Sequence, residues 1–194
     1  MYTEFTICPA TVDQQPIVIQ LIDEAAAWLR QKNIDQWAEP WPNRAERDER
    51  VKRGLERGET WLVLEGRTPA ATMTICRDPI PHVWRELGRG DAIYIHRLVV
   101  SRKYAGQDLG GVMVDWAVQR ERARRPVEWV RVDVWTTNTV LHAYYKKQGF
   151  ISCGQCPDPQ YPSGALFQKA ADAAGKTDTS FLTEAPLPLG FNPG

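Results

Sequence analysis

Apolar positions along this chain switch between two spacings, and the switches mark out its elements. Residues 3–8, TEFTIC, read as a first strand. Thr11 and Asp13 then offer side-chain oxygens for a helix start. Val18, Leu21, Ile22, Ala25, Ala26 and Leu29 follow at helical intervals, giving a helix of about 16 residues. The segment QKNIDQWAEPWPN, with two prolines and two tryptophans, reads as a structured loop, and RAERDERVKRGLERG as a second, mostly solvated helix ending near Gly58. ETWLVLEG and PAATMTICRD are strands flanking a hairpin turn at residues 66–69. PIPHVWRELGRGD is long for a hairpin connection and has room for a short helix.

DAIYIHRLVV is the strongest strand pattern of the chain. After a turn, Leu109, Val112, Met113, Trp116, Ala117 and Arg120 return to helical spacing, in a helix that runs to about Arg125 and stops at Pro126. VEWVRVDVW is a further strand with Val130, Val132 and Val134 on one face. Asn138 opens the helix NTVLHAYYKKQ and Gly149 ends it. FISCG and ALFQKA are short last strands around a proline-rich loop. The expected fold is α+β in three layers, a mixed sheet of about 6–7 strands flanked by about 4 helices. A domain over residues 1–170 precedes a tail, 171–194, either mobile or docked through Phe181, Leu187 and Phe191.

Charge narrows the class. Lysine and arginine number 24, as do aspartate and glutamate, so non-specific nucleic-acid binding is not the default expectation. The run RERARR, residues 120–125, reads as a basic patch or as a solvated helix end. No apolar run reaches the roughly 20 residues of a membrane helix. The opening MYTEFTICPA lacks the basic region expected of a secretory signal, and four cysteines without a dense framework fit a reduced, cytoplasmic location. Cys153 and Cys156 in CGQC share the spacing of redox and zinc sites. With no second pair of that kind and three histidines, the expectation is buried or idle thiols and no metal.

The stretch HRLVVSRKYAGQDLGG, residues 96–111, carries the most chemistry. A glycine-bearing turn into a helix N-terminus presents backbone N–H groups and a partial positive charge, which suits a pyrophosphate. Gly106 and Gly110 permit close approach of that backbone. Asp108 stands where another glycine would serve better, and it fits the N-cap of the helix that follows. Arg102 and Lys103 are near enough in sequence to offset its charge.

VSRKYAGQDLG, residues 100–110, resembles the loop (V)-x-P-x-x-(R/Q)-G-x-G-(I/L)-G of the GNAT family of N-acetyltransferases. Gly106, Leu109 and Gly110 match; Arg102, Ala105 and Asp108 depart from the pattern. NTVLHAYYKKQGF, residues 138–150, resembles the family's N-x-x-A-x-x-x-Y-x-x-x-G-F, with Leu141 in place of alanine. Both occur in the family's order, and the resemblance covers residues 3–170.

The resemblance implies transfer of an acetyl group from acetyl-CoA to a primary amine by direct attack. Coenzyme A would lie on Leu98, Val99, Val100, Ala105, Gly106, Gln107, Asp108, Leu109, Gly110 and Asn138. Tyr145 takes the family's acid position, protonating the departing thiolate. His96 stands at the family's base position, with Asp133 and Glu65 in reserve; an ordinary histidine pKa near 6.5 suits proton transfer at neutrality. Strand alternation puts Tyr94, His96, Leu98 and Val100 on one face. Trp37, Trp41, Trp84 and Tyr161, with His82, are the expected acceptor walls. The expected partner is a small-molecule amine, and a homodimer is left open. Ala105 and Asp108 keep two alternatives in view: the same fold using a longer acyl-CoA, a carrier-bound acyl group or an aminoacyl-tRNA, and a non-catalytic binding protein.

Overall fold

A bulge in its fourth strand and a parting of two neighbouring strands shape this sheet. The computed structural model describes residues 4–84, 87, 90–174 and 178–186. In chain order the elements are β1 (Phe5–Pro9), α1 (Gln15–Gln31), α2 (Arg44–Glu56), β2 (Thr60–Glu65), β3 (Thr68–Cys76), β4 (Ala92–Val100), α3 (Leu109–Arg122), β5 (Trp129–Val134), α4 (Thr139–Lys147), β6 (Ile151–Gln155), β7 (Ala165–Ala170) and β8 (Leu182–Glu184). The strands form one mixed sheet in the order β6-β7-β5-β4-β3-β2-β1-β8. Helices α3 and α4 pack on one face through Val112, Met113, Trp116 and Tyr145, and the apolar side of α1 and α2 covers the other through Val18, Leu21, Val51 and Leu55.

Among the described residues eight strands stand where about six or seven were expected, because the tail supplies one. β8 pairs parallel with β1, Phe5 N–H donates to the Phe181 carbonyl at 2.8 Å, and Leu182 is buried. Three residues are too few to show alternation, and the strand forms because the outer edge of β1 leaves backbone groups to pair. Leu187 and Phe191 lie outside the described residues. Among the described residues no helix is long and apolar enough to cross a membrane.

Alternation breaks inside β4. Thr74 pairs with His96 but Thr72 pairs with Val99, so one extra residue is accommodated, and Arg97 takes a left-handed φ of 49°. A one-residue bulge exchanges the faces of every later side chain. Tyr94 packs under the 77–91 connection, whereas Leu98 and Val100 pack against the α3 core. The expectation that Tyr94, His96, Leu98 and Val100 share a face is therefore corrected. Beyond the bulge, the parallel pairing of β4 with β5 ends at Ile95–Val132. The two strands part there, and the β4 backbone past Ile95 loses its partner on that side.

The RERARR run is a closed network. Glu121, 3% exposed, accepts from Arg120 at 2.8 Å and Arg77 at 3.0 Å, with Arg124 and Arg125 at 3.7 and 4.0 Å. Arg122 pairs with Asp172 at 2.8 Å. These charges are consumed within the fold.

Candidate active site

The expected phosphate loop occupies the turn between β4 and α3. Residues 105–108 are exposed, Gly106 has a φ of +83°, and Leu109 is buried in the core behind them. The N–H groups of residues 106–111 find no acceptor among the described residues. They stand at the positive end of a 14-residue helix, so the chain offers the donors a pyrophosphate needs. At Gly110 a Cβ would lie 2.9 Å from the Tyr144 hydroxyl, so glycine is what lets α4 close on α3 there.

Asp108 stands at the N-cap with φ 53°, yet its side chain caps nothing. Its Oδ1 accepts from Gln148 Nε2 at 2.8 Å instead, folding the carboxylate over Gly111, where a Cβ would lie 2.9 Å from it. The carboxylate accepts from none of the helix N–H groups, which corrects the expected capping role. Arg102 and Lys103 do not offset its charge. Arg102 lies over the Trp28 ring at 4.0 Å, and Lys103 pairs with Glu65 at 2.9 Å. Glu65, also bonded by the Tyr104 hydroxyl, is thereby spent on the far side of β3 and is corrected as a reserve base.

A cavity of about 620 Å³ opens where β4 and β5 part. Leu98, Leu141 and Tyr145 line it from the α3–α4 side; His96, Arg97 and Asp133 line it from the other. Its outer walls are Trp37 and Trp41 from the α1–α2 loop, His82, and Tyr161. Tyr161 packs edge-on against Trp41 at 5.5 Å and His82 at 5.7 Å. Trp84 is a correction: it is 2% exposed, packs on Tyr94 and does not reach the cavity. Asn138 is buried; it caps α4 by accepting from Leu141 N–H at 3.0 Å and donates to Gln36 at 2.6 Å.

Tyr145 is set by the α4 helix and by rings on either side, Phe150 at 5.2 Å and Phe167 at 6.4 Å. Burial, helped by Tyr144 and Asp133, pushes its pKa well up, so the hydroxyl keeps its proton. The adjacent Tyr144 points to Gly110 instead, and burial raises it to about 12.

His96 differs from the expected base. Its Nδ1 lies 3.1 Å from Asp133 Oδ1, outside hydrogen-bond alignment, so the two attract as charges. Burial works against the imidazolium, but Asp133 outweighs it, with smaller support from Cys76, and holds the pKa up to about 10. Asp133 is held down in turn: burial opposes its ionisation, while His96 and the Tyr161 hydroxyl, donating at 2.7 Å, favour it. Nε2 is sealed from the cavity and has no partner among the described residues. A protonated ring with its second nitrogen enclosed is poorly placed to accept an amine proton in this arrangement. Asp133, in contact with His96 and Tyr161, is no better placed. Sequence reasoning missed Glu59, a partly exposed cavity carboxylate whose side-chain contact among the described residues is Cys76 Sγ at 3.6 Å. It also missed Arg50 and Arg97. Glu59 and Arg50 belong to no local motif, and Arg97 lies in the 96–111 stretch without matching a feature read there.

Among the described residues no cluster of histidine, cysteine and carboxylates could hold a metal ion. Cys156 is buried with its thiol toward the His82 carbonyl at 3.7 Å.

Residues 20–150 match the acetyltransferase (GNAT) family. Fold and site thus define an acyltransferase scaffold, and the chain belongs to that family. The uncharacterized N-acetyltransferase YesJ of Bacillus subtilis (strain 168) is 28% identical over 157 residues, 77% of this chain and 83% of that protein. A GNAT-family acetyltransferase structure from Listeria monocytogenes 4b F2365 superposes with a TM-score of 0.68 at 24% identity, covering 86% of this chain and 94% of that one. The PaiA N-acetyltransferase of Thermoplasma acidophilum, solved with coenzyme A, has a TM-score of 0.60 at 14% identity, covering 86% and 98%.

Proposed function

We propose that this acetyltransferase moves an acetyl group from acetyl-CoA to the primary amine of a small molecule by direct attack. The observation that carries the reading is the cavity crossing the sheet at the β4–β5 opening, with Tyr145 on one side and aromatic walls on the other. Acetyl-CoA, when bound, supplies the activated thioester. The N–H groups of residues 106–111 would hold its pyrophosphate, and the unpaired β4 backbone beside Leu98 and Val100 would receive the arm. Tyr145 gives its proton to the departing thiolate. Glu59 takes the ammonium proton in place of His96, and the His96–Asp133 pair ties β4 to β5 at the point of parting.

Thermal unfolding with acetyl-CoA, free coenzyme A and an acyl-carrier phosphopantetheine tests the donor. Ligand at about 100 times its Kd adds roughly 2.7 kcal/mol. A shift with acetyl-CoA supports the reading; a shift with the carrier alone transfers it to that donor. Thiol release with an amine panel then tests the residues. Glu59→Gln should lower kcat about 100-fold, and His96→Asn far less. The reverse order restores His96 as the base.

A further inference from the structure

The cavity holds more positive charge than it neutralises. Five arginines line it, Arg47, Arg50, Arg53, Arg57 and Arg97, against the carboxylates of Glu59, Asp78 and Asp133. Asp133 is committed to His96, and Arg47 to Asp23 and Asp48 at 2.5 and 2.7 Å. Arg50 and Arg97, both partly buried, have no carboxylate oxygen within 4.0 Å among the described residues.

Neutral groups hold both heads in place. Arg97 Nε donates to Thr74 Oγ1 at 3.2 Å. Its Nη2 lies beside α2 at Gly54, where a Cβ would be 3.4 Å from it and 2.9 Å from Thr60 Oγ1. Arg50 sits over the Trp41 ring, 5.2 Å from its centroid, and donates to the Trp41 carbonyl. The bulge is what delivers Arg97: unbroken alternation would put residue 97 on the α3 face with Ile93 and Ile95. Burial lowers the pKa of each guanidinium against longer-range attraction from Glu46 at Arg50 and from Asp133 at Arg97, and the charge of Arg50 adds to the lowering at Arg97. Two desolvated cations held open, with no carboxylate in contact, cost stability unless an anion joins them.

We propose that Arg50 and Arg97 bind an oxyanion carried by the acceptor, so that the substrate is a primary amine bearing a carboxylate or a phosphate. Guanidinium donors match both groups, commonly through paired hydrogen bonds. The inference rests on the acetyl-transfer reading for the amine; the anion site stands on the arginines alone.

The experiment has two arms. In the first, inorganic phosphate is titrated during thermal unfolding with coenzyme A present to fill the donor loop. Wild type should gain several degrees and Arg50→Gln and Arg97→Gln clearly less; equal gains in all three overturn the proposal. The two variants sit on different elements, so misfolding of one leaves the other as the test. The second arm compares acetylation of amino acids with amines lacking only the carboxylate, and of phosphoethanolamine with ethanolamine. The anionic member of the preferred pair should lead in kcat/KM by about tenfold to hundredfold, and Arg97→Gln should shrink that ratio. Whichever pair leads separates carboxylate from phosphate. Preference for neutral amines overturns the proposal and leaves acetyl transfer standing. If no amine reacts and acetyl-CoA gives no thermal shift, it is the acetyl-transfer reading that fails, and the phosphate arm still decides the anion site.

Discussion

Two groups of arginines in this protein have opposite accounting. Around Glu121, Arg77, Arg120, Arg124 and Arg125 close on one buried carboxylate. In the cavity, Arg50 and Arg97 are anchored by a threonine and a tryptophan and meet no carboxylate among the described residues. All of the first group but Arg77 is conspicuous in sequence as RERARR, and it serves the fold. The second is scattered, Arg50 on α2 and Arg97 at a strand bulge, and faces the place where chemistry is proposed. Density of basic residues is thus a poor guide to function. What matters is whether the fold neutralises the charge it buries.

The largest effect should come from breaking the closed group. Glu121→Gln leaves several arginines without their shared carboxylate and should cost about 3–5 kcal/mol in chemical or thermal unfolding. Arg97→Gln, which removes a desolvated cation with no carboxylate in contact, should by contrast leave stability unchanged or raise it. Similar losses in the two variants would erase the distinction. Next, Tyr145→Phe keeps the packing on Phe150 and Phe167 but removes the proposed acid. Turnover should fall about 100-fold while the thermal shift with coenzyme A persists.

A smaller effect concerns the cavity's own ion pair. His96 is raised in the folded state, from 6.5 to about 10, so its contribution is fully present below 6.5 and is lost as pH rises through about 10. Asp133 is lowered from 3.8, so its contribution is present above 3.8 and is lost as pH falls through its folded value. Urea unfolding of wild type against Asp133→Asn should therefore show the widest gap between about pH 4 and 6.5, narrowing toward 10. A gap independent of pH would mean that the pair is not charged. The smallest change is Asp108→Gly. It relieves a left-handed backbone, adding up to about 1 kcal/mol, and should tighten coenzyme A by removing a carboxylate beside the loop. Weaker binding would show that the Asp108–Gln148 contact shapes the loop.

Element types were legible from spacing, because burial on one face imposes period 2 or 3.6 on the residues themselves. The phosphate loop and Tyr145 were legible for a related reason. The loop offers backbone groups at a helix start, and Tyr145 lies within one helix, so both leave local patterns. His96 was legible as a position but its charge was not, since Asp133, 37 residues away on another strand, raises its pKa against the effect of burial. Trp84 and Trp41 look alike in sequence; packing on Tyr94 buries the first, and the second remains on the cavity wall.

The sequence by itself therefore determined the order of elements, the donor loop and the helix that carries Tyr145, all of which depend on neighbours a few residues apart. Only the tertiary structure decided which charges are neutralised, which tryptophans are open, and where the sheet parts. A single extra residue in β4 turns every later side chain to the other face, and its effect appears only against the strands on either side. Charge balance in a cavity is likewise a sum over segments distant in the chain, and no local pattern records it.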